Sequence, residues 1–422
     1  MSIFSLTSVP QSLQTLHLLE FLLFIGTSIF LGYLTAFLGS HIFALYFSVK
    51  SKTNTELQKI SNIFVLPYSK SYLTHLGLGI FPFIAILFIF TQFIKPENTY
   101  TLSFFEFSLI IFIVSTLLSL LQNNIIKKTQ KLNLPLLLIT IITLFTSLWL
   151  FSSSFVYNLQ PNNNAANITS LKILFSLDNL IFTLFLLLFS ISISSITFLF
   201  FNKYSENYKL SNDFPEALSK EILKNILNIF AYTSMSLPVF YLLFVFTSNR
   251  TELSFNSFWS IISILLLVLT IRLSLIYRAN SKNTYLRLSF IFFIFFMLGL
   301  MGQNTDAFSN SSKATILSSA AKYEEHNTEI ASNEPAKQDN NKIGEDIFFA
   351  KCTNCHRDDT KFVGPSLKDM LVKYKNKKEE MIKFVLNPKK VDPNYPAMPN
   401  QGLKALEAEA VVNYIFKEYD KK

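Results

Sequence analysis

The sequence predicts an all-α protein in two parts, a bundle of eight membrane-spanning helices followed by a small helical soluble domain. Two observations carry that expectation. Half of the 422 residues are hydrophobic and 45 are Phe, yet over positions 1–302 the charges fall mostly between long apolar runs. The last stretch of about 80 residues is instead rich in Lys and Glu and holds both cysteines of the chain. An apolar run near 20 residues is what crossing about 30 Å of hydrocarbon requires.

Eight runs approach or exceed that length, near 19–48, 72–94, 103–122, 134–157, 174–201, 226–248, 257–277 and 286–302. The first is longer than one crossing needs, so it tilts or protrudes. The last is the shortest. Lysines and arginines choose the orientation. Lys50, Lys52, Lys59 and Lys70 fill the first loop, Lys127, Lys128 and Lys131 the third, Lys203, Lys209, Lys220 and Lys224 the fifth, and Arg278, Lys282 and Arg287 the seventh. The other loops carry little more than Lys95, Lys172 and Arg250. Odd-numbered loops are therefore expected in the cytoplasm and both termini outside. The first run is too long, and too poor in basic residues before it, for a cleaved signal peptide.

Residues 303–340 are rich in Ser, Asn, Ala, Lys and Glu, a composition expected of a flexible linker. As a coil, such a segment would span on the order of 30 to 35 Å and let the last domain swing between partners. His326 within it reads as a solvent-exposed histidine. The net charge of +9 does not indicate nucleic-acid binding, because most of the excess is the loop bias just described.

Residues 341–422 form the second domain. A helix-like stretch, 343–351, leads into Cys352-Thr353-Asn354-Cys355-His356. Two thiols three apart with a histidine directly after can attach a haem through two thioethers and offer the imidazole to its iron. Half of a zinc site is the first competitor, but no second Cys or His pair follows at ligand spacing. A thioredoxin-like redox pair is the other, and it usually follows a strand rather than a helix. Met398 lies 42 residues after His356 between Pro396 and Pro399, which stiffen a loop able to hold a sulfur over iron.

The order of these parts resembles a class I cytochrome c domain. Gly344 and Phe348 stand on its first helix, the C-x-x-C-H motif follows, then Gly364-Pro365, Met398, and a last helix over 403–419 with Tyr414 in the place of the family's helix-contacting aromatic. The resemblance implies one covalent haem c held by Cys352 and Cys355, a pocket built with Gly364 and Pro365, and His356 and Met398 as axial iron ligands. Met370 and Met381 are rival sulfurs that read as core. With both axial positions filled, such a haem passes single electrons and binds no oxygen. The resemblance also implies that haem attachment is completed on the outer side of a bacterial inner membrane, which agrees with the loop charges. Lys373, Lys375, Lys377, Lys378, Lys389 and Lys390 form either a solvated face or a docking patch for an acidic redox partner protein.

The membrane part holds three histidines. His41, near the inner end of the first span, and His75, at the start of the second, can share a depth and ligate a haem b. Five glycines on these two spans suit either a haem face or plain helix packing. His17, Glu20, Glu106 and Asp178 fall in the outer third of the spans, where they could serve a quinol site or simply reach interfacial water. Three readings follow: a membrane-anchored electron carrier in a respiratory chain, a quinol-oxidising enzyme feeding its own haem c, or a scaffold subunit of a respiratory complex.

Overall fold

The computed structural model describes residues 11–50, 55–93, 99–160, 170–205, 210, 214–248, 256–280, 282–333, 340–393 and 395–419. Lys52, Lys95, Lys209 and Arg250, used above for orientation, lie outside them. All regular structure among the described residues is helical, and the chain divides into two compact units, Met1–Tyr323 and Glu324–Lys422.

In the first unit the helices are α1 (Leu13–Lys50), α2 (Thr55–Ser69), α3 (Tyr72–Phe93), α4 (Thr99–Thr129), α5 (Leu134–Asn158), α6 (Leu177–Tyr204), α7 (Glu216–Thr247), α8 (Asn256–Asn280) and α9 (Asn283–Asn333) as far as Tyr323, besides a short helical turn at Ser170–Leu174. All but α2 are long and apolar enough to cross a membrane, so the eight expected spans are there. At 1.5 Å per residue, the 38 residues of α1 extend about 57 Å, well beyond one crossing.

Lipid tails are as apolar as leucine, so helices in a membrane associate through close packing and hydrogen bonds between small polar side chains. The α4–α5 seam follows that rule. Ser108 donates to the Ser147 carbonyl at 2.7 Å, and Ser147 donates back to the Ser108 carbonyl at 2.9 Å. Helices α1 and α6 meet at Gly39, where an added Cβ would stand 1.9 Å from the Ser190 carbonyl oxygen, and Ser194 donates to the Ala36 carbonyl at 2.9 Å. That glycine serves helix packing. Aromatic rings fill the wider gaps, with Phe30 against Phe83 at 4.3 Å and against Phe151 at 5.2 Å.

Two segments depart from the sequence reading. The first loop contains α2, whose Ile60, Phe64 and Val65 are buried and whose Phe64 stacks on Phe43 of α1 and Phe198 of α6. The second departure is the stretch expected to be a flexible linker, 303–340, which is helical through Asn333 as the continuation of α9. Its polar composition conceals a buried stripe at helical spacing, Thr305, Phe308, Ser312 and Ile316. Phe308 packs 4.5 Å from Phe90, Gln303 accepts from the Tyr241 hydroxyl, and Ser311 donates to the Asn158 carbonyl. Replacing 303–333 by a Gly/Ser coil of equal length is therefore expected to loosen the bundle. A fall in the thermal midpoint of the detergent-solubilised protein, matched in direction by Phe308→Ala alone, would register it.

The second unit contains α10 (Asn340–Ile347), a π-helical turn (Phe348–Cys352), α11 (Leu367–Lys373), α12 (Lys378–Leu386) and α13 (Ala405–Tyr419). Ser366 caps α11, accepting from the Asp369 amide at 3.1 Å. Helices α10 and α13 cross at Gly344, where a Cβ would stand 2.3 Å from the Ala410 carbonyl oxygen and 2.7 Å from Tyr414 Cβ. Phe348 completes the crossing, with Tyr414 at 5.6 Å and Tyr419 at 5.4 Å.

Candidate functional site: a cavity behind the Cys-x-x-Cys-His turn

The π-helical turn ends at Cys352, and the chain closes into a tight loop through Cys355 and His356, whose amides both donate to the Cys352 carbonyl, at 3.1 and 3.0 Å. Gly364 returns to this loop, its amide donating to the Cys355 carbonyl at 2.9 Å. Both cysteines are half-buried, and neither forms a disulfide. Burial, followed by the neighbouring Cys355, pushes the Cys352 thiol up to about 11. An attacking thiol of a redox pair needs the opposite shift.

His356 is held on one side only. Its Nδ1–H donates to the Pro365 carbonyl at 2.8 Å, which fixes the tautomer and leaves the Nε2 lone pair for a metal. Gly364 permits that placement: a Cβ there would lie 2.4 Å from His356 Cε1 and 2.9 Å from Nδ1. Gly364→Ala is thus expected to push the imidazole off its carbonyl. The visible spectrum of the c-haem should then become that of a mixed or high-spin iron.

Residues of the motif line a cavity of about 380 Å³. Cys352, Cys355, His356, Pro365 and Met398 all line it, together with apolar side chains such as Leu367 and Val385. Met370 and Met381 reach it as well, although Met381 is nearly fully buried in the domain core. Lys351, Lys361, Lys373, Lys389 and Lys390 also contribute to its wall. The residues present fit a covalently held haem: two thiols on one side of an apolar cavity, an imidazole presented by Nε2, and a thioether in the same lining.

The membrane unit brings some predicted residues together and separates others. His41 and His75 are both buried and both contact Phe37, with ring centroids 4.8 and 5.2 Å away. Tyr33 and Tyr68 adjoin them and were not legible from the sequence, because Tyr68 sits on α2, read there as loop. His17 Nδ1–H donates to Glu20 at 3.0 Å, and Ser309 of α9 donates to the other Glu20 oxygen. Asp306, in the stretch read as linker, lies close enough to feel the Glu20 charge. Asp178 instead accepts from Gln160 and stands in the first turn of α6, where helix dipoles favour a carboxylate. Glu106 is buried on α4.

Residues 342–417 match the Cytochrome c family model, which makes the second unit a cytochrome c domain. Covalently bound haem c and electron transfer follow from that family. The matched segment begins after the membrane helices, to which no family is assigned. Comparisons with curated proteins and with solved structures return no significant match.

Proposed function

We propose that this protein is a membrane-anchored c-type cytochrome that carries single electrons at the outer face of a bacterial inner membrane, within a respiratory chain. The observation that supports it best is the joint lining of one cavity by Cys352, Cys355, His356 and Met398, with His356 Nδ1 committed to the Pro365 carbonyl. In this reading Cys352 and Cys355 would hold the haem by thioethers, and His356 Nε2 and Met398 Sδ would ligate its iron. The bound haem supplies a one-electron iron couple. The chain's own groups orient it, exclude water with Leu367 and Val385, and raise its potential through the thioether. An equilibrium redox titration of the purified protein should give a one-electron wave for the c-haem, and the reduced haem should not bind carbon monoxide. Rapid carbon monoxide binding would mean an open iron site and would overturn the carrier reading.

The lysines around the cavity support an acidic protein as the redox partner. Lys389→Glu combined with Lys390→Glu should slow reduction or oxidation by that partner, most strongly at low salt, because such steering is screened as ionic strength rises. The rate with a small neutral donor should be unchanged.

One observation favours a second reading, a quinol-oxidising enzyme. Glu20 is joined to His17 and Ser309 and lies near Asp306, a cluster able to take protons that a quinol must release as it gives up electrons. Glu20→Gln would then lower quinol-driven reduction of the c-haem while leaving its reduction by ascorbate alone. Wild-type protein that quinol cannot reduce leaves the carrier, or a scaffold subunit bearing it.

A further inference from the structure

The buried polar groups of the membrane unit include two imidazoles whose outward nitrogens are unsatisfied. His41 is 1 % exposed and His75 is 2 % exposed. His41 Nδ1 is hydrogen-bonded to the Phe37 carbonyl at 3.0 Å, and His75 Nδ1 to the Tyr33 hydroxyl at 2.8 Å. Nε2 of each ring has no hydrogen-bond partner. The Tyr68 carbonyl approaches the His75 ring but does not satisfy that nitrogen. Leaving a buried polar atom unpaired is costly, and here the cost arises twice, on two rings that pack against the same Phe37 side chain.

The tautomers are informative. A carbonyl oxygen can only accept, so His41 carries its proton on Nδ1 and a neutral ring presents a bare lone pair at Nε2. Tyr33 can accept from His75 in the same way. An imidazole whose Nδ1–H is anchored to a carbonyl or hydroxyl and whose Nε2 faces outward is the usual arrangement of a metal ligand. The backbone adds an independent sign: His75 opens a π-helical stretch, His75–Ile80, inside α3, and π-turns within α-helices occur often at functional sites.

We propose that His41 and His75 are the two axial ligands of a non-covalent haem b in the membrane unit. The donor set selects the group. Among the described residues no cluster of three or more His, Cys, Asp or Glu could hold a bare ion, and zinc ordinarily takes four ligands. A haem iron arrives with four nitrogens of its own and needs only two more. The surroundings are aromatic, as a porphyrin face requires: Phe37 stacks on Tyr68 at 5.1 Å, and Tyr33 and Phe112 pack beside them. Phe37 packs against both imidazoles, its ring centroid 4.8 Å from His41 and 5.2 Å from His75, and would have to move to admit a porphyrin. Ser119 of α4 donates to the Tyr68 carbonyl, and about one turn further Gln122 is 1 % exposed with both carboxamide atoms unpaired, a donor available to a haem propionate.

This site is independent of the haem c reading, and one preparation separates the two. The full-length protein, purified in detergent, should show a b-type as well as a c-type pyridine haemochrome. Acidified acetone should extract the b-haem alone, at a ratio of about one to the haem that stays with the polypeptide. His41→Ala and His75→Ala should each abolish the extractable haem and keep the covalent one. Because either variant could misfold, the wild-type protein supplies a second measurement, a low-spin bis-imidazole electron paramagnetic resonance signal that disappears on extraction. Wild-type protein without extractable haem, extractable haem retained in both variants, or a b-haem signal that is high-spin would overturn the proposal. Absence of the covalent haem would instead count against the haem c reading.

Discussion

Cys352→Ala combined with Cys355→Ala is expected to eliminate covalent haem entirely, because these are the only thiols in the chain. Each single substitution should leave one thioether, and the protein should still carry haem through denaturing electrophoresis. The double variant should carry none when the gel is stained for haem peroxidase activity. A further loss follows from packing. The domain is small, and four of its buried core residues, Leu367, Met381, Val385 and Ile415, also line the cavity of about 380 Å³. A haem seated there would cover apolar side chains that so small a domain has few other means of burying, so it would act as part of the core. The double variant should therefore also become sensitive to protease within 341–422, while the membrane helices stay resistant. Haem still bound after denaturation would refute attachment through this motif.

How much could be read in advance depends on how local the signal is. The eight spans were visible because twenty consecutive apolar residues have few alternatives to crossing a bilayer. The Cys-x-x-Cys-His motif was visible because its chemistry lies within five consecutive residues. Residues 303–333 were misread for the opposite reason. Ser, Asn and Ala look like linker when counted, but small and amide side chains are what a helix–helix seam in a membrane uses, and Phe308 and Ile316 fall on the buried face only once the helix is in place. Pairing between distant positions was also hidden. Nothing in the sequence places the Tyr33 hydroxyl on His75, 42 residues away, or Ser309 on Glu20, 289 residues away. Of the glycines, Gly364, read as pocket, lies where an added Cβ would meet the His356 ring. Gly39 was open to two readings and packs against α6.

Met398→Ala is expected to leave the haem attached and to change its iron. With Cys352, Cys355 and His356 untouched, covalent haem content should equal that of the wild type. The lost thioether should remove the weak far-red absorption of the oxidised protein that the cytochrome c resemblance associates with sulfur on iron. The reduction potential should fall by on the order of 100 mV, since axial-ligand identity moves haem potentials over about 0.8 V. The open position should also bind carbon monoxide in the reduced state, which the wild type should refuse. Two other sulfurs make this a discriminating experiment, because Met370 and Met381 line the same cavity. Met381 is 3 % exposed and packs in the core of α12, so Met381→Ala should lower the stability of the domain without erasing the far-red band. Met370 is half-buried against that same core and should behave likewise. If the band survives in Met398→Ala and vanishes in Met370→Ala, the iron takes its sulfur from α11, and the stiff loop from Pro396 to Pro399 only covers the haem.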